Sequence, residues 1–206
     1  MVSYDHPMAE RVVLPDEAPD MTVTELHDYV TDRLKDVLRF LFGDRALVLG
    51  DIFVRVDETD QVSPDLLIVP GAKPGARTVY RIPPEPVPDI TMEVLSPANY
   101  QRDGRLQLQH KRDLIGAIGV RLHIEIDPER GELTTWQNVD GRLVVDPPTD
   151  RYDGDDLGGL RIELAPGDVR LWLPDGSEFV NAAAEMARAR QLAEALRDAG
   201  IDPDSV

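Results

Sequence analysis

Residues 89–95, Asp-Ile-Thr-Met-Glu-Val-Leu, constrain the fold more than any other stretch. Successive side chains of a strand point to opposite faces. Ile90, Met92 and Val94 therefore share one face, while Asp89, Thr91, Glu93 and Leu95 share the other. The first face reads as core. The second is polar, with a carboxylate inside a strand that otherwise looks buried.

The flanking sequence supplies the neighbours of this strand. Upstream, Leu26, Val30, Leu34, Val37, Leu38 and Leu41 recur at helical spacing and form one amphipathic face. Thr22 with Glu25 makes a capping box at its start, and Gly43 stops it. "ALVLGDIFVRVD" predicts a strand and "SPDLLIVP" another, joined as a hairpin through the polar turn Glu58 to Gln61. Residues 71–88, dense in Pro and Gly, read as loop. Downstream of the polar-faced strand, a second helix runs to near Gly119, and "VRLHIEID" is the next strand, with Leu122, Ile124 and Ile126 opposite Arg121, His123 and Glu125. Further short strands follow, two of them flanking the hairpin signal Asp140-Gly141. An Ala-, Glu- and Arg-rich stretch from Phe179 to Ala199 predicts a terminal helix. The expected fold is α/β (α+β): an αβββαβ core with a β-rich C-terminal extension and a terminal helix. The expected organisation is an irregular arm over 1–21, one domain over 22–177 and a helical tail over 178–206.

Bulk properties exclude several classes of function. With no cysteine among 206 residues, disulfides, thiolate metal sites and thiol nucleophiles are all ruled out. The N-terminus shows no basic region followed by an apolar run, and no segment approaches the roughly 20 apolar residues of a membrane helix. A cytoplasmic location is expected. The net charge of −17 argues against non-specific nucleic-acid binding, which rests on Lys and Arg neutralising phosphates. It leaves room for a small, local nuclease site.

Three residues stand out as chemistry. Asp65 opens the strand "DLLIV", and Glu93 lies late in the next. If the two strands are neighbours, these carboxylates converge within reach of one hard cation such as Mg²⁺, which takes oxygen ligands. Lys111 shares its helix stripe with Leu108, Leu114, Ile115 and Ile118, so it projects toward the sheet. A buried ammonium needs a carboxylate partner, and Glu93 is the candidate. The pattern also has a structural explanation: Asp65 as a turn residue after Pro64, Glu93 and Lys111 as an orienting ion pair, or Lys111 snorkelling to solvent. Glu25 is better explained by its cap, and Ser96 by a turn or cap role. His6, His27, His110 and His123 lack metal-ligand spacing and read as surface or interface residues.

"PDLLIV", "PDITMEVLSPAN" and "KRDLIGAIGVRLHIEIDP" together resemble the Uma2 family (DUF820) of restriction-endonuclease-like proteins, over about residues 22–180. The resemblance implies a PD-(D/E)XK nuclease fold. It implies Asp65 and Glu93 as ligands of Mg²⁺ (or Mn²⁺), Lys111 as the catalytic lysine borne on the helix, and DNA as substrate. Position 95, where the superfamily usually places its lysine, is Leu95 here. The helix tyrosine of the family is Ile115, its strand aromatic is Ile124, and its acid before the lysine is replaced by Gln107 or displaced to Asp103. The alternative is a nuclease fold kept for binding without chemistry, which the −17 charge favours; Arg102, Arg105, Lys111, Arg112 and Arg121 form the sole local basic cluster in the sequence. A homodimer through the tail strands and terminal helix fits either reading.

Overall fold

A computed structural model describes residues 25–57, 60–75 and 77–180. The expected N-terminal arm, Thr22 of the capping box, and nearly all of the expected terminal helix lie outside the described residues. In chain order the regular elements are α1 (Glu25–Phe42), β1 (Ala46–Gly50), β2 (Phe53–Arg55), β3 (Gln61–Val62), β4 (Leu66–Pro70), β5 (Val79–Arg81), β6 (Ile90–Val94), α2 (Arg102–Ala117), β7 (Leu122–Asp127), β8 (Glu132–Val139), β9 (Arg142–Val145), β10 (Arg151–Asp153), β11 (Arg161–Ala165) and β12 (Asp168–Trp172).

The central sheet has the order β1-β4-β6-β7-β8-β9. β1, β4 and β6 are antiparallel neighbours. β6 and β7 are parallel, which requires a crossover, and α2 provides it. The elements α1, β1, β4, β6, α2 and β7 thus realise the αβββαβ order. Two small sheets, β3-β2-β5 and β10-β11-β12, are attached to it.

Both faces of the central sheet are covered. On one, Val30, Leu34, Val37 and Leu38 of α1 pack with Ile68, Ile90, Met92, Val94, Ile124 and Ile126, joined by the buried apolar residues of β11 and β12. On the other, Ile115 of α2 and Val54, Val62 and Tyr80 of the smaller β3-β2-β5 sheet cover Leu67 and Val69. This second face carries Thr91 and Glu93 of β6 and His123 and Glu125 of β7, all buried. Polar groups placed there must be paired.

The structure departs from the sequence reading in three places. The single long strand over 46–57 is broken: β1 ends at Gly50, Asp51 turns the chain at φ +52°, and β2 leaves for its own sheet. Aspartate is among the few residues that tolerate this left-handed conformation. The loop over 71–88 contains β5, which lies parallel to β2. His123, expected at a surface, is fully buried. The Asp140-Gly141 turn follows expectation, with positive φ at both residues and Val139 paired to Arg142.

Gly104 fixes how α2 starts. A Cβ there would lie 2.2 Å from the Ala98 carbonyl oxygen and 2.8 Å from Asn99 Cα, both backbone atoms. Ala98 and Asn99 belong to a turn closed by Asn99, whose Oδ1 accepts the Ser96 backbone N–H at 2.7 Å. Ser96 is thus the turn residue the sequence suggested. Gly104→Ala is expected to destabilise by about 1–3 kcal/mol through this clash, against the gain of about 1 kcal/mol that alanine brings to an open helix position. A denaturant midpoint at or above that of wild type would contradict it.

Candidate active site

The register brings the two acids together. β4 pairs with β6 through Leu66↔Met92 and Leu67↔Thr91. One step further along both strands sets Asp65 against Glu93. The Val94 backbone N–H donates to Asp65 Oδ2 at 2.7 Å, which ties the start of β4 to the end of β6. His27 of α1 reaches the same oxygen, Nε2 to Oδ2, at 3.2 Å. Burial pulls the His27 imidazole down, but the carboxylates of Asp65 and Asp28 together outweigh this and raise it above its ordinary value.

Lys111 projects from α2 onto the same spot. Its ammonium donates to Glu93 Oε1. Glu93 Oε2 is buried and has no hydrogen-bond partner among the described residues. Burial pushes the Glu93 carboxyl up to about 7; Lys111 pulls against this, while Asp65 and Glu125 add to it. The side chains of Asp65 and Lys111 are 16% and 20% exposed, that of Glu93 only 5%. Solvent therefore reaches the cluster past Asp65 and Lys111, and Glu93 forms its floor.

A second ion pair lies beside the first. β6 and β7 place Glu125 next to Glu93. Arg112 grips Glu125 with two bonds, Nε to Oε1 at 2.6 Å and Nη2 to Oε2 at 2.8 Å. Burial would push the Glu125 carboxyl up, but the His123 and Arg112 contacts outweigh it and hold it at about 2. His123 is itself pulled below its ordinary value by burial, so Arg112 supplies the balancing charge. His123 Nδ1 shares a bond with Thr91 Oγ1 at 2.9 Å. The Arg112 guanidinium also lies 4.4 Å from the centre of the Trp136 ring. A cleft of about 340 Å³ opens on that flank, lined by Gln109, Arg112, Trp136 and Arg142, and neither Asp65 nor Glu93 lines it.

The structure therefore brings Asp65, Glu93 and Lys111 into one cluster, and leaves Asp103 and Glu25 exposed. Sequence reasoning missed His27, Arg112, Glu125 and His123. The signals were present: His27 precedes Val30 and Thr31 by one turn, and Glu125 alternates with His123 on the polar face of its strand. The expected basic cluster is largely consumed internally. Lys111 and Arg112 hold buried carboxylates, and Arg121 pairs with Asp89 and Asp156, each at 2.8 Å.

The site fits a divalent cation in one respect: a buried carboxylate oxygen without a partner, beside a second carboxylate, is the donor set a hard ion takes. Among the described residues no cluster of three or more His, Asp or Glu side chains is arranged to hold a metal. The oxygen groups that the cluster offers are the two carboxylates of Asp65 and Glu93. Also among the described residues, no helix is long and apolar enough to cross a membrane.

Comparison with known proteins adds three findings. No curated protein matches the chain. Among solved structures, it is similar to a putative nuclease belonging to DUF820 from Anabaena variabilis ATCC 29413, at 14% identity over 64% of this chain and 71% of that one, with a TM-score of 0.47. The family model of Uma2, described as "Putative restriction endonuclease", matches residues 17–165. That span is well over half of the 206 residues, and the chain belongs to the Uma2 family.

Proposed function

We propose that this protein is a divalent-metal-dependent endonuclease that hydrolyses DNA phosphodiester bonds at Asp65, Glu93 and Lys111. The observation that carries the reading is the unpartnered Oε2 of Glu93, buried beside Asp65 with Lys111 on its other oxygen. Asp65 and Glu93 would hold Mg²⁺ or Mn²⁺. When bound, the ion supplies a water of lowered pKa and a positive charge facing the phosphate. The Val94 N–H keeps Asp65 in place against β6. Lys111 holds Glu93 Oε1 and offers its remaining ammonium protons to a negative oxygen in the site.

A second reading has its own support. Lys111, Arg112 and Arg121 are paired with carboxylates, so three members of the basic cluster are already engaged, and the chain carries −17, which opposes association with phosphates. On that reading the fold binds a partner and does no chemistry.

Calorimetric titration of Mn²⁺ into wild type, Asp65→Ala and Glu93→Ala tests the metal site. Wild type is expected to bind, and each variant to lose more than about 100-fold in affinity, beyond what loss of an outer partner costs. Equal, negligible binding by all three proteins would remove the metal site and leave the second reading.

A further inference from the structure

We infer that His27 is a positioning residue of this site: it pins one oxygen of Asp65 and so aims the other at the bound cation. The inference rests on the metal reading of Asp65 and Glu93. It starts from α1, whose buried stripe runs through Val30, Leu34, Val37 and Leu38. His27 lies one turn before Val30 and extends that stripe past the apolar core to the end of the sheet where β4 begins. There Nε2 meets Asp65 Oδ2 at 3.2 Å.

Oδ2 already accepts the Val94 N–H at 2.7 Å. The two donors come from different elements, one from the helix and one from the sheet, and both fall on the same oxygen. A carboxylate held twice at one oxygen has its plane fixed, and Oδ1 is the atom left to serve a ligand. Outer partners that orient metal-binding carboxylates act in this way and are typically worth 10–100-fold in affinity. The role needs only an N–H at Nε2, which the neutral imidazole carries in one of its tautomers.

A contact that merely fastens α1 to the sheet would also explain the distance. Two variants of the full chain separate these roles. His27→Leu keeps apolar bulk and removes the donor. His27→Gln places an amide N–H close to where Nε2 lies. With Mn²⁺ as the probe in calorimetry, His27→Leu is expected to bind about 10–100-fold more weakly than wild type. His27→Gln should recover to within about threefold of wild type, a difference of under 1 kcal/mol. Thermal melting of both variants without metal provides the structural readout.

Equal Mn²⁺ affinity for His27→Leu, His27→Gln and wild type overturns the inference and leaves the metal site standing. Equal weakening in both variants overturns it too, because the donor then makes no difference. No binding by wild type itself removes the Asp65–Glu93 metal site, and the inference falls with it. Recovery in His27→Gln alone supports the positioning role.

Discussion

Arg112→Ala is expected to lower the unfolding free energy by about 3–5 kcal/mol, the cost of stranding one member of a buried ion pair. Glu125 is only 4% exposed and takes two bonds from Arg112. Its other neighbour, His123, is pulled below its ordinary value by burial, so Arg112 is the permanent charge beside Glu125. Loss of the guanidinium over Trp136 adds a smaller term of roughly 0.5–1 kcal/mol. The pair also sets an acid limit. The folded state holds Glu125 at about 2, against roughly 4.3 for a free glutamate. A depressed carboxyl stabilises above its unfolded value, and the contribution is lost as the pH falls through the folded one. The gap between wild type and Arg112→Ala should thus be full at neutral pH and close as the pH drops from roughly 4 toward 2. Replacing both partners, Arg112→Met with Glu125→Leu, should recover much of the loss. Urea unfolding across that pH range checks all three statements. A single variant that loses less than about 1 kcal/mol at pH 7 would show that the pair is not what holds α2 to the sheet.

The core order was legible because it rests on periodicity. Alternation in 89–95 assigned Glu93 to a polar face, and the stripe through Leu108 and Ile115 turned Lys111 toward the sheet; the structure places the two in contact. What escaped depends on contacts distant in sequence. The break at Asp51 is a positive φ at a residue that is not glycine, and nothing local requires it. β5 has three residues inside a Pro- and Gly-rich stretch, too few to show a period. His123 looked exposed because its strand has a polar face, yet that face is covered by α2. The same oversight hid Glu125 and Arg112. Lys111 and Arg112 are consecutive on the helix, and each reaches the acid of a different strand. A stripe drawn through positions three and four apart cannot express that pairing.

Lys111→Ala is expected to reduce metal-dependent DNA cleavage by about 10²–10³-fold, the loss typical when one preorganised donor to a developing negative charge is removed. The Lys111 side chain is 20% exposed, which lets its ammonium serve a substrate oxygen as well as Glu93. Lys111→Arg should not restore full activity, because a planar guanidinium does not occupy the position of a compact ammonium. Stability gives an independent signature. Glu93 sits at about 7 even with Lys111 beside it, and without that charge burial pushes it higher. A raised carboxyl favours the fold below its unfolded value, and that advantage is lost as the pH rises through the folded one. Lys111→Ala should therefore match wild type near pH 5 and fall progressively behind it as the pH climbs above about 7. The two measurements divide the readings. Weakened stability at alkaline pH with cleavage unchanged makes Lys111 an orienting partner of Glu93 and nothing more. Loss of cleavage at pH 6, where the fold is equally stable, ties the ammonium to the chemistry. Cleavage absent from wild type under every divalent ion leaves the Lys111–Glu93 pair as the architecture of a binding protein.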